Sequence, residues 1–399
     1  MISRKCLLSL ALVFVVTGAA AEKQYGPGVT DTEIKIGQTM PYSGPASGLS
    51  AIAKAQAAYF AKINAEGGIN GRKINLISLD DAYSPPKTVE QTRKLVEQEE
   101  VLLLFGSIGS ATNSAIHKYV NQKKVPHIIL ITNSTKWGDP QNFPWTMGFG
   151  LPFQTEAKLY VQYILQTKPN AKIAILSQND DMGKDYLKGL HDELGDKATK
   201  MIVAEVTYEV TDPTVDSQIV TLKGSGADTF ISITTPKSSA QAIRKAYDIG
   251  WKPLYITSVA GNSVETVLNP AGTEKAIGVV SVSASKEPTD PQWKDDVAVK
   301  DYLEWMKKYY PEGNLAEIFN VYGYNSAQLL VQVLKQCGDD LSRVNVMRQA
   351  ANIKNLQLPM ATPGVKINTS PTDFFPIEQS QLMRFDGKEW VRFGEIMGK

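Results

Sequence analysis

The stretch VLLLFGSIGSATNSAIHKYV, which spans Val101 to Val120, decides the fold. Its first part, Val101 to Phe105, is a continuous apolar run with the length of a buried strand. Gly106 to Gly109 interrupt this run, and Ser110 opens a segment in which apolar residues recur at helical spacing. The pattern predicts a buried parallel strand, a tight turn and a helix N-terminus. The free backbone N–H groups and the dipole of such a terminus suit a carboxylate or a phosphate.

The N-terminus differs from the rest of the chain. The 399 residues are 43% hydrophobic and 21% charged, which is typical of a soluble globular protein of two domains. Arg4 and Lys5, however, precede the apolar run Leu7 to Val16, and small residues, Ala19 to Ala21, follow it. This pattern predicts a secretory signal peptide over residues 1–21, and therefore export from the cytoplasm.

Charge and cysteine content argue against several kinds of partner. After removal of the signal peptide with Arg4 and Lys5, 40 basic residues oppose 41 acidic ones, a net charge of about −1. This balance does not favour nucleic acid or an anionic membrane surface as a partner. Cys337 is then the one remaining cysteine, so the fold must depend on its core and not on an internal disulfide. No later apolar run approaches the roughly 20 residues of a membrane helix.

Strands and helices alternate in two series along the chain. The first series runs from the strand over Ile34 to Met40 to the strand over His127 to Thr132. The pattern lapses near residue 149. It then resumes with a helix over Phe153 to Gln166 and continues to the strand AIGVVSVSA at residues 276–284. Such alternation predicts βαβ units with parallel sheets and helices on both faces, and its repetition predicts two lobes.

Longer helices and a strand-like tail follow the second series. The helices are predicted over Trp293 to Tyr309, Ala316 to Gln336 and Ser342 to Asn355. The tail, Val365 to Phe393, carries a hairpin signal at Asp386 and Gly387. Because the helices need a lobe to pack on, we expect the chain to cross back near residue 283 and again near residue 377. The predicted lobes are residues 32–148 plus 283–376 and residues 149–282 plus 377–399.

The motifs of nucleotide and metal enzymes do not fit this arrangement. The turn GSIG is not GxGxxG, and Thr132 and Asn133 end the next strand where a dinucleotide site would carry an acid. The segment DDMGKD has Asp185 where a P-loop needs a hydroxyl for its metal ion. Three histidines and one remaining cysteine do not favour a metal site. We therefore expect a protein that is not an enzyme and that holds no cofactor or metal.

Several candidate site residues also have purely structural interpretations. Ser110 suits a helix N-cap, where its hydroxyl would accept a backbone N–H. Asp80 and Asp81, at a strand end, suit turns or caps, since no second acid–base partner is visible. Phe319 and Tyr322, on a predicted helix, suit the core more than a ligand wall. On residue type alone, both interpretations remain open for each of them.

Four runs of the sequence occur in a specific order: IKIGQTMPYSGPAS, GGINGRK, FGSIGSAT and NDDMGKDY. In this order the chain resembles the periplasmic substrate-binding proteins of branched-chain amino-acid type ABC transporters, over nearly its whole length after the signal peptide. The resemblance implies an α/β type I periplasmic binding fold. Such a fold has two Rossmann-like lobes with parallel sheets, joined by a three-crossing hinge, with the ligand between the lobes. It also implies a periplasmic monomer that delivers its ligand to an ABC transporter membrane permease.

The resemblance places a ligand carboxylate at the turn before the predicted helix at Ser110. In the amino-acid-binding members, a Ser at this helix start holds that carboxylate, together with hydroxyl and backbone groups at the end of the next strand. The matching positions here are Ser110, Ile131, Thr132 and Asn133. Asn133 stands where a Thr is usual.

The resemblance does not extend to the ammonium group of an amino acid. The family places an aromatic residue and an acid after two strands of the second lobe, and these positions are Thr235 and Ser258 here. Burying an ammonium group without a carboxylate partner is costly, so the missing acid argues against an α-amino acid. Thr235 and Ser258 suit a hydroxyl or another neutral polar group.

The other positions that the resemblance assigns to the pocket are mainly apolar. They are Leu49, Tyr83, Ile108, Gly109, Met182 and Phe319, of which Tyr83 and Gly109 replace a disulfide that the family often has. An apolar pocket with one anion clamp predicts a hydrophobic or aromatic monocarboxylate as the ligand. The alternatives are a branched-chain amino acid, an amide or urea-like solute, and a ligand-sensing receptor domain of the same fold.

Overall fold

The structure is a computed structural model that describes residues 23–398, so the predicted signal peptide lies outside the described residues. The strands are β1 Gln24–Tyr25, β2 Glu33–Met40, β3 Lys73–Asp80, β4 Leu103–Phe105, β5 His127–Leu130, β6 Thr146–Gly148, β7 Ile173–Gln178, β8 Ile202–Tyr208, β9 Thr229–Ile233, β10 Leu254–Thr257, β11 Val280–Ser283, β12 Asp340–Leu341, β13 Gln379–Phe385 and β14 Trp390–Gly398. The helices are α1 Ala51–Ala65, α2 Pro85–Arg93, α3 Ser110–Gln122, α4 Phe153–Thr167, α5 Asp181–Leu194, α6 Ala198–Met201, α7 Asp216–Gly224, α8 Pro236–Asp248, α9 Asn269–Ala271, α10 Val297–Tyr309, α11 Ile318–Cys337 and α12 Arg343–Ala350. None of these helices is long and apolar enough to cross a membrane.

The first sheet contains β4, the apolar strand at the start of the stretch Val101 to Val120. Its five strands are parallel and lie in the order β3-β2-β4-β5-β6. The order reverses between β2 and β4, and in doubly wound sheets ligands bind outside the carboxyl ends of strands at such a point. Ser110 begins α3 directly after β4, so the turn described above lies at this position. We call this sheet and its packed helices the N-lobe.

The second sheet has seven strands in the order β14-β13-β11-β10-β9-β7-β8. Strands β7 to β11 are parallel, and β13 and β14 add an antiparallel hairpin at one edge. The hairpin signal is confirmed: the Asp386 carboxylate accepts hydrogen bonds from the backbone N–H groups of Lys388 and Glu389 in the turn. We call this sheet and its packed helices the C-lobe. The chain passes between the two sheets after Gly148, after Ser283 and before Gln379.

Several elements are shorter than the sequence pattern indicates, and the largest differences are in the last predicted helix and in the strand-like tail. The last predicted helix ends at Ala350, because the Thr369 hydroxyl donates to the Ala350 carbonyl and accepts the Ile353 N–H. The first part of the strand-like tail, residues 365–378, forms isolated bridges instead of a strand. Pro371 and Pro376 interrupt it, and proline cannot donate to a ladder of strand hydrogen bonds.

Close packing of α1 on α11 brings two site elements together. A Cβ added at Gly323 of α11 would lie 2.3 Å from the carbonyl oxygen of Ile52 and 2.8 Å from Cβ of Ala55. Glycine at this position therefore allows the two helix backbones to approach. As a result, Phe319 and Tyr322 on α11 lie beside the start of α1.

Replacing Gly323 by alanine is expected to lower the free energy of unfolding by about 1 to 3 kcal/mol, the usual cost of overpacking a core. Chemical denaturation measures this. The matched control is Gly224→Ala at the end of α7, where an added Cβ meets no atom within 4 Å. The control should leave stability unchanged or raise it slightly, since alanine favours helix. Equal stability of the two variants would contradict the close packing described here.

Candidate functional site: a cleft between the lobes

A cavity of about 1040 Å³, counting the solvent at its mouth, lies between the N-lobe and the C-lobe. Both lobes contribute to its wall. The predicted residues that line it are Leu49, Tyr83, Ile108, Gly109, Ser110, Ile131, Thr132, Asn133, Met182, Thr235 and Phe319. Among the residues that the structure describes, no Asp, Glu, Lys, Arg or His lines this cavity. Its chemistry is therefore apolar with a few hydroxyl and amide groups.

The turn before α3 adopts a backbone conformation that favours glycine. Gly109 is the N-cap of α3 and has φ of 96°, a conformation that L side chains rarely adopt. A Cβ at Gly109 would also lie 2.7 Å from Cε2 of Tyr83, so the two residues that stand in place of a disulfide are in contact. Gly109 has no side chain that could cap the helix, and both Gly109 and Ser110 line the cavity. The positive dipole end of α3 therefore faces the cavity.

Ser110 is the first residue of α3 and not its N-cap, which corrects the capping interpretation. Its buried hydroxyl instead lies 2.7 Å from the Thr132 hydroxyl and accepts a hydrogen bond of 2.8 Å from Ser134. Because Ser134 donates, the proton of Ser110 is available to Thr132 or to a ligand oxygen. This hydroxyl cluster of Ser110, Thr132 and Ser134 can therefore bind an anion at the helix N-terminus.

The backbone of β5 is distorted just before the residues that line the cavity. Ile129 has φ of 58°, which is uncommon for a β-branched residue, and the pairing of β5 with β6 shifts register there. Beyond it, Ile131 donates to the Ser107 carbonyl at 3.0 Å and bridges Ile108. Ile131, Thr132 and Asn133 thus line the cavity beside the α3 turn.

In the C-lobe, Thr235 and Met182 lie at the carboxyl ends of neighbouring strands. Thr235 follows β9 as the N-cap of α8, and its hydroxyl is 3.2 Å from that of Tyr208. Met182 follows β7 in the first turn of α5, where Asp180 accepts its backbone N–H at 2.9 Å. Burial raises the pKa of Asp180 to about 6, while this cap and the N–H of Gly183 act in the opposite direction. Thr235 and Met182 thus line the same cavity as the α3 turn.

Ser258 does not line the cavity, although the sequence analysis placed it there. Its backbone N–H donates to the Ser232 carbonyl at 3.0 Å, and its buried hydroxyl has no hydrogen-bond partner. The chain turns at Val259–Gly261, so Val259 and Ala260 form this part of the wall instead.

The structure also distinguishes between a structural role and a binding role for the two strand-end acids and for two aromatic residues on α11. Asp80 accepts hydrogen bonds from Ser43 and from the backbone N–H of Ala82, and Asp81 accepts from the N–H of Tyr83. Both acids therefore hold turns, as expected. Phe319 and Tyr322 line the cavity even though Phe319 is almost fully buried, so both belong to the wall.

Sequence reasoning missed the parts of the wall that come from the interlobe passages. These residues are Phe149, Gly150, Leu151, Phe153, Ser283, Ala284, Ser285, Ile377 and Ser380. The predicted order of the chain through the two lobes could have identified these residues. Segments that cross between two lobes lie at the base of the cleft, so the predicted crossings near residues 149, 283 and 377 already marked them.

At one end of the cleft, three side chains join the lobes in what we call the α3–α5 latch. Asp181 on α5 accepts hydrogen bonds of 2.5 Å from Ser114 on α3 and from Lys136, which follows β5. Burial raises the pKa of Asp181, but these bonds outweigh it and hold the pKa below its usual value. One turn further on α5, Asp185 accepts the backbone N–H of Thr135 at 2.6 Å.

At the opposite end, a buried acid of the N-lobe binds hydroxyls of the C-lobe. Glu317, the N-cap of α11, accepts hydrogen bonds from Ser263 at 2.9 Å and from Thr266. Nearby, Asn314 donates to Glu265 at 3.0 Å. Hydrogen bonds therefore join the lobes at both of these places.

Replacing Asp181 by asparagine is expected to favour separation of the lobes. A half-exposed ion pair contributes roughly 1 kcal/mol, so the ratio of separated to closed forms should rise about 3- to 10-fold. Small-angle X-ray scattering of the ligand-free protein would show a larger radius of gyration. The control is Asp192→Asn on the same helix, which breaks a pair with Lys188 within α5. An identical radius for both variants would show that the α3–α5 latch does not hold the lobes together.

A comparison with family models identifies the class of the chain. Residues 33–389 match the model described as periplasmic binding protein. The chain belongs to this family. Its two lobes, with their parallel sheets and a cleft at the strand carboxyl ends, make it a type I member, as the resemblance implied. Members of this family bind small molecules outside the cytoplasm and work with ABC transporter permeases.

Curated relatives and solved structures agree with this assignment. The chain is 23% identical over 349 residues to Leu/Ile/Val-binding protein homolog 7 of Brucella abortus, covering 84% of this chain and 86% of that protein. A branched chain amino acid ABC transporter structure from Thermus thermophilus with bound valine superposes with a TM-score of 0.83 at 15% identity, covering 93% and 98% of the two chains. A fatty acid ABC transporter substrate-binding protein from Thermomonospora curvata gives a TM-score of 0.80 at 22% identity, covering 94% and 95%.

These likenesses establish the fold and the transporter type. The chain is a substrate-binding protein like the Leu/Ile/Val-binding proteins of ABC transporters. Two of its solved neighbours are associated with chemically different ligands: one contains bound valine, and the other is named as a fatty acid ABC transporter substrate-binding protein. The ligand must therefore be inferred from the cavity of this chain.

Proposed function

We propose that the protein captures a hydrophobic or aromatic monocarboxylate between its lobes and delivers it to an ABC permease from the periplasm, without altering it chemically. The observation that carries this proposal is the absence of any charged side chain among the described residues that line the cavity. An α-amino acid would bury an ammonium group there without a counter-ion, which is costly. A monocarboxylate needs one anion clamp only.

The carboxylate is proposed to bind at the α3 N-terminus. There the Ser110 proton and the backbone N–H groups of the first helical turn converge, and the helix dipole favours a negative charge. Thr132 and Asn133 complete this side of the site. The remainder of the ligand would contact the apolar wall of Leu49, Ile108, Met182 and Phe319.

Closure of the lobes is proposed to be a hinge motion that the ligand stabilises by contacting both lobes. The three interlobe passages support the lobes as residues 32–148 plus 283–376 and residues 149–282 plus 377–399. A binding protein of this kind would act as a monomer.

A branched-chain amino acid is the second candidate, and it is favoured by the relatives' names and by the neighbour with bound valine. A thermal-shift panel separates the two candidates. The protein should first be unfolded and refolded to remove carried ligand. Benzoate and octanoate should raise the melting temperature, whereas leucine and valine should not. Stabilisation by leucine with none by the acids would overturn the proposal, and incubation with the bound acid should give no product.

A further inference from the structure

A buried acid lies directly behind the C-lobe wall of the cavity. Glu156, in the first turn of α4, is fully buried. Its Oε1 accepts a hydrogen bond of 3.0 Å from the backbone N–H of Val259, and Val259 lines the cavity. The titratable groups that face Glu156 are Tyr160 on its own helix, Tyr186 on α5 and Tyr322 on α11. None of these is a cation that could neutralise a carboxylate.

Counting protons around Glu156 indicates its charge state. The Tyr160 hydroxyl lies 2.7 Å from Oε1 of Glu156 and 2.9 Å from the Thr257 carbonyl oxygen. Tyr160 has a single phenolic proton for these two acceptors, so the two bonds cannot both be at full strength. If that proton goes to Thr257, the short contact with Glu156 fits a protonated carboxyl group that donates to the Tyr160 oxygen. The Oε2 atom of Glu156 and the Tyr186 hydroxyl are both buried without a well-formed hydrogen bond. Tyr186 faces Glu156 and stabilises an anion there only in part.

We propose that Glu156 is a neutral carboxylic acid below neutral pH that positions the Val259–Ala260 wall, and that its ionisation as the pH rises through neutrality weakens the binding of an anion in the cavity. The second half of this inference rests on the proposed function. Glu156 is a positioning residue, because Val259 lies between it and the cavity.

The electrostatics of the site agree with a bound proton. Burial raises the pKa of Glu156 to about 7, against opposing contributions from Tyr160, Tyr186 and the Val259 N–H. Since the pKa in the folded state exceeds that in the unfolded chain, the contribution to stability is complete at low pH. It is lost as the pH rises through about 7. A neutral Glu156 also explains how an acid can lie beside the cavity without making it a site for an ammonium group.

The first experiment uses the ligand-free protein, so it does not depend on the ligand. Unfolding of wild type and Glu156→Gln is compared from pH 5 to pH 8.5, with Glu193→Gln on α5 as the control. The folding equilibrium constant of wild type should fall by about 10- to 100-fold relative to Glu156→Gln across this range. The infrared spectrum at pH 6 should also contain a protonated carboxyl band that Glu156→Gln lacks. A constant difference in stability and no such band would overturn the inference.

The second experiment titrates the same proteins with octanoate between pH 6 and pH 8.5. Wild-type affinity should fall about 3- to 10-fold as the pH rises, while the affinity of Glu156→Gln should stay constant. Parallel profiles would overturn the coupling to the cavity. If leucine binds and octanoate does not, the proposed function fails. The leucine titration then tests the same coupling, because an ionised Glu156 should strengthen the binding of an ammonium group.

Discussion

Replacing Ser110 by alanine is expected to weaken carboxylate binding by about 1 to 3 kcal/mol, roughly 5- to 150-fold. Ser134 donates to the Ser110 hydroxyl, which leaves the Ser110 proton for the ligand. Among the residues that the structure describes, no charged side chain lines the cavity, so an ion pair does not compensate for the loss of this charge-assisted hydrogen bond. Isothermal titration calorimetry with octanoate measures the loss.

The matched control for this change is Ser107→Ala. Ser107 is also buried and lies in the turn before α3, but it does not line the cavity. The control should keep the affinity of wild type. An unchanged affinity of the Ser110 variant would mean that the carboxylate binds elsewhere.

Replacing Thr235 by aspartate is expected to reduce carboxylate affinity more strongly than replacing it by asparagine. Both side chains are favourable at the N-cap of α8, the position that Thr235 occupies, so the helix should persist. Only aspartate adds a charge. Two negative charges about 8 Å apart at an effective dielectric constant of about 20 repel by roughly 2 kcal/mol, or about 30-fold.

The asparagine variant isolates the charge from the change in shape. Octanoate affinity should fall by about 30-fold in Thr235→Asp relative to Thr235→Asn, and leucine affinity should rise in the aspartate variant. Equal affinities of the two variants for octanoate would show that the carboxylate does not bind in this cavity.

Local patterns predicted the elements that carry the site. The strand and helix around Ser110 follow from apolar spacing and from two glycines, which act within a few residues. Thr132 and Thr235 could be assigned because parallel strands bring their carboxyl ends to one edge of a sheet. The resemblance to the periplasmic binding proteins supplied the alignment that assigned both positions to the pocket.

Features that depend on tertiary packing could not be predicted from the sequence. The orientation of Ser258 is set by the turn after it, and the end of α12 is set by Thr369, far along the chain. Glu156 gave no signal, because an acid in the first turn of a helix ordinarily suits the dipole and faces solvent. Asp181 and Lys136 likewise belong to different lobes, so their contact depends on how the lobes pack on each other.

The central claim, that the ligand carries a carboxylate and no ammonium, is tested most directly by leucine and its deaminated analogue 4-methylpentanoate. The two molecules share the same branched side chain and the same carboxylate, so a difference in affinity reports the ammonium group alone. Calorimetric titration of the refolded protein should give at least about 10-fold tighter binding of 4-methylpentanoate, since burying an unpaired ammonium is costly. Tighter binding of leucine would contradict the claim and would make this chain a branched-chain amino-acid-binding protein.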